Sequence, residues 1–288
     1  MNSVAIVADS TCDLSPELVK KFDIEIVPAN ILFDGEVISQ DNITNEEFFS
    51  RLKAGAIPTT GVPAPKKFKT AYDAALTKAD KVLALTVIGD LSSMFSTATV
   101  VANQFYDNNE VVVLDSKAVT LQFGLIVYEA AKLAAANHSL EEIVPHIQSA
   151  IVPNSHLLGA VDTLKYLRNG GRISRISWLL GSLLSVKPII HVEDGKLVSP
   201  KKIRGQDHAM RALKKAAKKV LKNLHTDTFY CGYSVNKERG QELFDFISDL
   251  PNAPAELLLG EIGPTMGAHI GPGAMGYAWI GDFKKKWL

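Results

Sequence analysis

Short apolar runs alternate with capped, amphipathic segments through the first half of this chain, and few folds accept that alternation. Ser3-Val-Ala-Ile-Val-Ala8 reads as a buried strand. Ser15-Pro16-Glu17 follows as an N-cap with proline at the first helical position. Ile24 to Pro28 is a second strand, and Thr44-Asn-Glu-Glu47 is a capping box opening a helix to about Lys53. Pro65 to Lys78 is helical, Val82 to Thr86 a strand, Ser92 to Phe105 a helix, and Val111 to Leu114 a strand ending at Asp115-Ser116. Strand followed by helix, repeated, implies a parallel sheet with helices on both faces.

The style changes after the capping box Ser139-Leu-Glu-Glu142, whose helix ends near Pro153. Leu157 to Ala160 is strand-like, Leu164 to Arg168 a short helix, and Gly170-Gly171 a break. Ile189 to Val192 and Lys196 to Val198 read as a hairpin around Asp194-Gly195. Beyond it come a helix over Asp207 to Asn223, a strand over Thr228 to Val235 and a helix over Glu238 to Asp249. Strands near Leu257 to Glu261 and Tyr277 to Ile280 complete a mixed α/β half. We expect two α/β domains, residues 1–155 and 156–288, with neither internal repeat nor low-complexity tract.

Composition narrows the function classes. Lys plus Arg equals Asp plus Glu at 31 each, so charge gives no reason to expect a nucleic-acid partner. The most apolar helix, Ala118 to Ala136, is interrupted by Gln122, Glu129 and Lys132, which suits a buried helix better than a membrane span. No N-terminal signal pattern precedes the first strand, and Cys12 and Cys231 are far apart, so reduced thiols in a cytoplasmic protein are expected.

Hydroxyl-rich loops mark the strand-to-helix junctions where ligands gather in open α/β sheets. They are Asp9-Ser10-Thr11, Pro58-Thr59-Thr60-Gly61-Val62-Pro63 and Asp90-Leu91-Ser92-Ser93. Hydroxyls beside helix-terminal N–H groups can hold a carboxylate or phosphate, and can equally be simple helix caps. His269 stands in Gly263 to Gly276, a stretch of five glycines and two prolines that reads as a loop. Gly271 and Gly273 would let backbone approach a ligand there, or His269 is bonded only to the loop. No phosphate-cradling loop, zinc-helix motif or metal-spaced Cys/His cluster is present in the sequence, so no cofactor or metal is expected. A hydrolase grouping of Ser92, His269 and Asp9 is the enzymatic alternative. Arg211, Lys214, Lys215, Lys218, Lys219 and Lys222 crowd one helix face behind Lys201, Lys202 and Arg204. That face is either simply solvated or a docking patch for an acidic partner.

Together these stretches resemble the DegV family of bacterial fatty-acid-binding proteins, which includes the lipid-carrying subunits of fatty acid kinase. The resemblance rests on Asp9-Ser-Thr-Cys-Asp-Leu14, Thr60-Gly-Val-Pro63, Leu91-Ser-Ser-Met-Phe95, Asp115-Ser116, Gly170-Gly-Arg-Ile173, Lys187-Pro188 and His269-Ile-Gly-Pro-Gly273. It implies a parallel-sheet three-layer domain and a mixed-sheet α/β domain with a ligand cleft between them. It also implies a long-chain fatty acid such as palmitate, held by Thr60 and Ser92, with Arg172 and His269 in the polar network around the carboxylate. Presentation of the lipid to a separate kinase would follow, with the basic stretch Lys201 to Lys222 as docking surface and no stable membrane insertion. Gly61-Val62 departs from the Ser-Gln that often follows the threonine, and Ser93-Met94 from the Gly-Thr that often follows the serine. Thr59 and Ser93 are adjacent hydroxyls able to substitute.

Overall fold

A computed structural model describes residues 2–107, 109–172, 186–193 and 195–288. Its first part runs β1 (Asn2–Asp9), α1 (Pro16–Lys21), β2 (Glu25–Val27), β3 (Asn30–Phe33), β4 (Glu36–Ser39), α2 (Asn45–Lys53), β5 (Thr59–Gly61), α3 (Pro65–Leu76), β6 (Ala79–Thr86), α4 (Met94–Phe105), β7 (Val111–Asp115), α5 (Thr120–Ala135) and α6 (Leu140–His146). β2, β1, β6 and β7 lie side by side, every pair parallel, as the strand–helix alternation requires. The expected caps form: Ser15 and Thr44 accept from Leu18 N–H and Glu47 N–H, and Ser139 with Glu142 makes the complete capping box.

Sequence reading missed a small antiparallel sheet of order β4-β3-β5. Its hairpin turns at Asp34-Gly35, both with positive φ (45° and 92°), the signature of a type I′ turn. The Asp-Gly pair between short β-rich segments was the available signal. This sheet places Thr60, because β5 carries it.

The remainder runs β8 (Ser155–Ala160), α7 (Lys165–Asn169), β9 (Val186–Glu193), β10 (Lys196–Arg204), α8 (Gln206–Val220), β11 (Leu224–Tyr233), α9 (Lys237–Ser248), β12 (Glu256–Glu261), α10 (Pro264–Ile270) and β13 (Met275–Gly281). These strands make one mixed sheet of order β10-β9-β8-β13-β11-β12, in which only β11 and β12 pair in parallel. The hairpin expected around Asp194-Gly195 is there as β9 and β10, although Asp194 itself lies outside the described residues, as does Ile173. The stretch read as a glycine loop is corrected: His269 sits on helix α10. Pro264 occupies the first turn and Gly271, at φ 72°, ends the helix, an arrangement that proline-start and glycine-stop preferences favour. Glycine density hid that punctuation.

Helix α5 joins the two sheets. It packs on β1 from one side and on β8, β11 and β13 from the other. Every residue from Thr120 to Ala131 is buried, which is why this helix is apolar all round and not on one stripe. The polar exceptions are tethered: Gln122 Nε2 donates to Ser155 O at 2.9 Å, and Lys132 pairs with Glu256 at 2.7 Å.

The face of the mixed sheet toward α5 carries a row of glycines in ladder register. Gly159 of β8 pairs with Gly276 of β13, Gly276 with Gly232 of β11, and Gly232 with Gly260 of β12. Side chains alternate across a strand, so four successive strands are bare at one level of one face. Leu121 fills the trough at Gly232, where an added Cβ would lie 2.4 Å from its Cδ2, and the Tyr230 ring fills it at Gly260. At Gly159 none of the described residues fills it.

Asp13 ties the layers together from inside. It is buried, in left-handed conformation (φ 50°), and its Oδ1 accepts from Gly263 N–H at 2.9 Å. Oδ2 shares a 2.6 Å bond with the Thr120 hydroxyl, and its carbonyl accepts from Tyr230 OH at 2.6 Å. Burial lifts its carboxyl to about 8, against the lowering effect of those two side-chain bonds. Between the ordinary carboxylate range and pH 8 the folded chain therefore holds a proton that the unfolded chain lacks. This contribution to stability is present at low pH and is lost as pH rises towards 8. We expect Asp13→Asn, which keeps the neutral shape, to flatten the rise-with-acid part of a Tm profile between pH 5 and 8. Asp13→Ala should cost about 2–5 kcal/mol, leaving two buried donors without partners. Parallel pH profiles for wild type and Asp13→Asn would refute the assignment.

Candidate functional site

Between the two sheets lies a cavity of about 330 Å³ whose wall is mostly aliphatic. β8 and β9 contribute Leu157 and Ile190, and Val161 follows just after β8; α10 and its approach contribute Ile262, Met266 and Ile270. No carboxylate lines it among the described residues. That composition suits an apolar ligand with few polar atoms.

Four elements distant in sequence bring polar groups to one part of this wall. Thr60 Oγ1 lies 2.9 Å from His269 Nε2, across 209 residues of chain. Gly170, at the end of α7, packs on that imidazole so closely that an added Cβ would sit 2.3 Å from Nδ1. Two residues on, Arg172 reaches the loop before α4: Nε and Nη2 donate to Leu91 O at 3.3 and 3.2 Å, and Nη1 donates to Gly170 O at 2.7 Å. Ser92, next in that loop, lines the cavity, and its Oγ accepts from Met94 N–H at 3.3 Å where α4 begins. The contacts thus run Thr60, His269, Gly170, Arg172, Leu91, Ser92.

Burial, with the Arg172 charge adding to it, holds the imidazole of His269 down to about 4. It is neutral at pH 7. Its Nδ1 is buried and has no hydrogen-bond partner among the described residues. A buried lone pair is tolerated better than a buried orphan N–H, so the proton belongs on Nε2. Nε2–H then donates to Thr60 Oγ1, and the Thr60 proton is free to point at a ligand.

The expected site residues divide. Thr60, Ser92, Ser93, Arg172 and His269 all line the cavity. Thr59 does not: it is exposed, one residue along β5 and therefore on the other face from Thr60. Gly271 and Gly273 are also outside the wall. At φ 72° and 82° they shape the turn after α10, with an added Cβ meeting the Tyr166 ring at 2.1 Å and the Asp162 carboxyl carbon at 3.2 Å respectively. Sequence reading missed Thr11, Thr120 and Thr265, which line the cavity as well. Thr11 belongs to a loop that reading did single out; the other two sit at helix starts, where a hydroxyl reads as a cap.

The hydrolase grouping does not assemble. Asp9 is buried with Oδ1 accepting from Thr11 N–H and hydroxyl, and Oδ2 accepting from Val87 N–H at 2.7 Å. His269 is bonded to Thr60 through Nε2, and no carboxylate orients its Nδ1. Among the described residues no group of three or more His, Cys, Asp or Glu could hold a metal ion, and no helix is long and apolar enough to cross a membrane. Cys12 and Cys231 are free and buried. On α8 the exposed residues include Arg211, Lys215, Lys218 and Lys219, while Lys214 is tied to Glu242 at 2.7 Å.

Comparison with known proteins adds to this geometry. The model of the DegV family of uncharacterised proteins matches residues 3–282. A DegV domain-containing protein of Deinococcus radiodurans is 35% identical over 280 residues, covering 96% of this chain and 98% of that one. The fatty-acid-binding DegV family protein of Thermus thermophilus superposes with a TM-score of 0.86 at 29% identity, covering 96% of this chain and 99% of the other. DegV of Bacillus subtilis, a fatty-acid-binding protein, superposes at 0.82 with 25% identity, covering 98% and 100%. An aliphatic cavity between a parallel and a mixed sheet, matched family sequence over almost every residue, and whole-chain superposition agree: the chain belongs to the DegV family.

Proposed function

We propose that this protein binds a long-chain fatty acid, with the carboxylate at Thr60 and Ser92 and the acyl chain in the cavity between the sheets. The observation that carries the reading is the wall itself: aliphatic over most of its extent, with the chain of contacts from Thr60 through His269 and Arg172 to Ser92 on one part of it. The fatty-acid-binding relatives from Thermus thermophilus and Bacillus subtilis support it.

Energetics favour this division of labour. Burial is worth about 0.8 kcal/mol per methylene, so a sixteen-carbon chain brings roughly 10 kcal/mol before ordering costs. Affinity then needs no ion pair. The carboxylate must only avoid being buried without partners, and hydroxyl donors suffice for that. Ser93 flanks the same site at the start of α4, whose first N–H groups favour an anion. His269 orients the Thr60 hydroxyl, and Arg172 holds the Leu91–Ser92 loop against α7.

No catalytic step is assigned to this chain. As in the lipid-carrying subunits its family resembles, the bound acid would be presented to a separate ATP-dependent kinase that makes the acyl phosphate. The exposed basic face of α8, with Lys201, Lys202 and Arg204, is the docking surface in this reading. The cytoplasm is the compartment that fits such a partner.

Native mass spectrometry and organic extraction of the purified protein should recover a fatty acid near one per chain. Thr60→Val and Ser92→Ala should each weaken fatty-acid binding about 10- to 100-fold, the range for losing a hydrogen bond to a charged group. An empty protein that hydrolyses acyl esters, and stops doing so as Ser92→Ala, would overturn the reading. Because His269 is already neutral, binding measured by calorimetry should stay level from pH 7 to 6; affinity that rises with acid about a midpoint near 6.5 would mean a charged imidazole pairing with the carboxylate. Charge reversal at Lys215, Lys219 and Lys222 should cut acyl-phosphate formation by an added kinase at least about tenfold, leaving fatty-acid affinity alone. Unchanged formation would remove α8 as the docking face.

A further inference from the structure

Glycine 159 is the point where the trough across the mixed sheet stays open. It lies within central strand β8, paired to Ile190 on one side and Gly276 on the other, and it lines the cavity with Leu157 and Val161. Although interior to the sheet, it is only half-buried, because the cavity reaches its backbone.

Its three partners in the glycine row are glycine for a packing reason. An added Cβ would meet Leu158 O at 2.4 Å from Gly276, the Leu121 methyl at 2.4 Å from Gly232, and the Tyr230 hydroxyl at 2.2 Å from Gly260. At Gly159 the nearest atom to an added Cβ among the described residues is Met275 O, at 3.9 Å, ordinary contact. Nor does the backbone demand glycine, since Gly159 is not among the residues with positive φ. A strand-interior glycine with neither steric nor conformational need is costly relative to a branched residue. What the missing side chain leaves is room in the cavity.

The direction of that room follows from connectivity. Gly159 and Leu157 share one face of β8, spaced about 6.6 Å apart along the strand, and Val161 follows directly after its last residue, Ala160. Val161 leads into α7, whose Gly170 end touches His269. Gly159 is therefore farther along the strand from the head-group cluster than Val161, and an acyl chain running from Thr60 toward Leu157 passes it.

We propose that Gly159 sets how long an acyl chain the protein accepts: its bare backbone is the gap through which the distal methylenes reach Leu157 and Ile190. The inference rests on the fatty-acid reading of the cavity. Any side chain here occupies space that the distal chain would use, while the head group and proximal methylenes keep their contacts.

The test is the series Gly159→Ala, Gly159→Val and Gly159→Leu, each measured for binding of C10 to C18 saturated fatty acids and for Tm. Each excluded methylene costs about fourfold in affinity, so displacing three costs roughly 60-fold. Gly159→Leu should lose at least about tenfold for C18 relative to C12, with C10 changed less than about threefold, and the series should be graded by side-chain size. Tm should hold or rise, because the added Cβ meets no atom of the described residues closer than 3.9 Å. Gly276→Ala, with its Cβ forced to 2.4 Å from Leu158 O, is the contrasting variant and should lower Tm instead. A folded Gly159→Leu protein with the wild-type length profile, or with all lengths weakened alike, overturns the proposal. A wild-type protein that binds no fatty acid at all overturns the functional reading beneath it, a result separable by its appearance before any substitution.

Discussion

Leu121 and Tyr230 enter a trough that the mixed sheet leaves bare, and the site depends on how far they fill it. The row Gly159, Gly276, Gly232 and Gly260 removes one level of side chains from the face opposing α5. Close packing lets a helix approach there only if something else occupies the lost volume. Over β11 and β12 that something is protein. Over β8 none of the described residues fills it, and the cavity begins. The helix and the void thus answer the same sheet feature at different strands, which puts the cavity beside the start of α5, where Thr120 and Leu121 line it.

The seam is held by polar contacts that double as the cavity's frame. Asp13 accepts from Gly263 N–H just ahead of α10, so the helix carrying His269 is fixed to the end of β1. Ser10 and Gln40 extend the tether: the Ser10 hydroxyl donates to Gln40 Oε1 at 3.0 Å, and the Thr265 hydroxyl donates to the same oxygen. Arg172 closes the opposite side onto the Leu91 carbonyl. Most of these contacts join distant parts of the chain, so the fold itself holds the side chains on the cavity wall in place, and in the proposed reading little ordering cost is left for binding.

Much of this was legible in sequence where local rules act alone. Ser15, Thr44 and Ser139 announced their helices because a cap needs only the next three residues. The β1, β6 and β7 runs were legible because buried parallel strands are continuously apolar. Asp34-Gly35 was equally local, yet β3 and β4 are four residues each and too short to show alternation. Thr60, Ser92, Arg172 and His269 emerged together only through resemblance, since nothing near any one of them points to the other three. Thr59 misled for a simple reason: neighbouring hydroxyls look interchangeable in sequence, and a strand turns them to opposite faces. The glycine row was illegible altogether. Gly159, Gly232, Gly260 and Gly276 have no shared spacing; strand register alone lines them up.

The buried carboxyl of Asp13 and the buried imidazole of His269 are shifted in opposite directions by the same cause. Loss of water disfavours charge on either, raising the acid to about 8 and lowering the base to about 4. At neutral pH the carboxyl is largely protonated and the imidazole is neutral, so two ionisable groups beside the seam add little charge to it. Among the described residues Arg172 is the cation on the cavity wall, and its guanidinium is engaged with the carbonyls of Leu91 and Gly170. A lysine clamp would hold a carboxylate more strongly, and it would also have to be desolvated whenever the cavity stood empty. In the proposed fatty-acid reading, neutral donors would avoid that cost, leave most of the affinity to the aliphatic wall, and make affinity follow the length of apolar chain that the wall can cover.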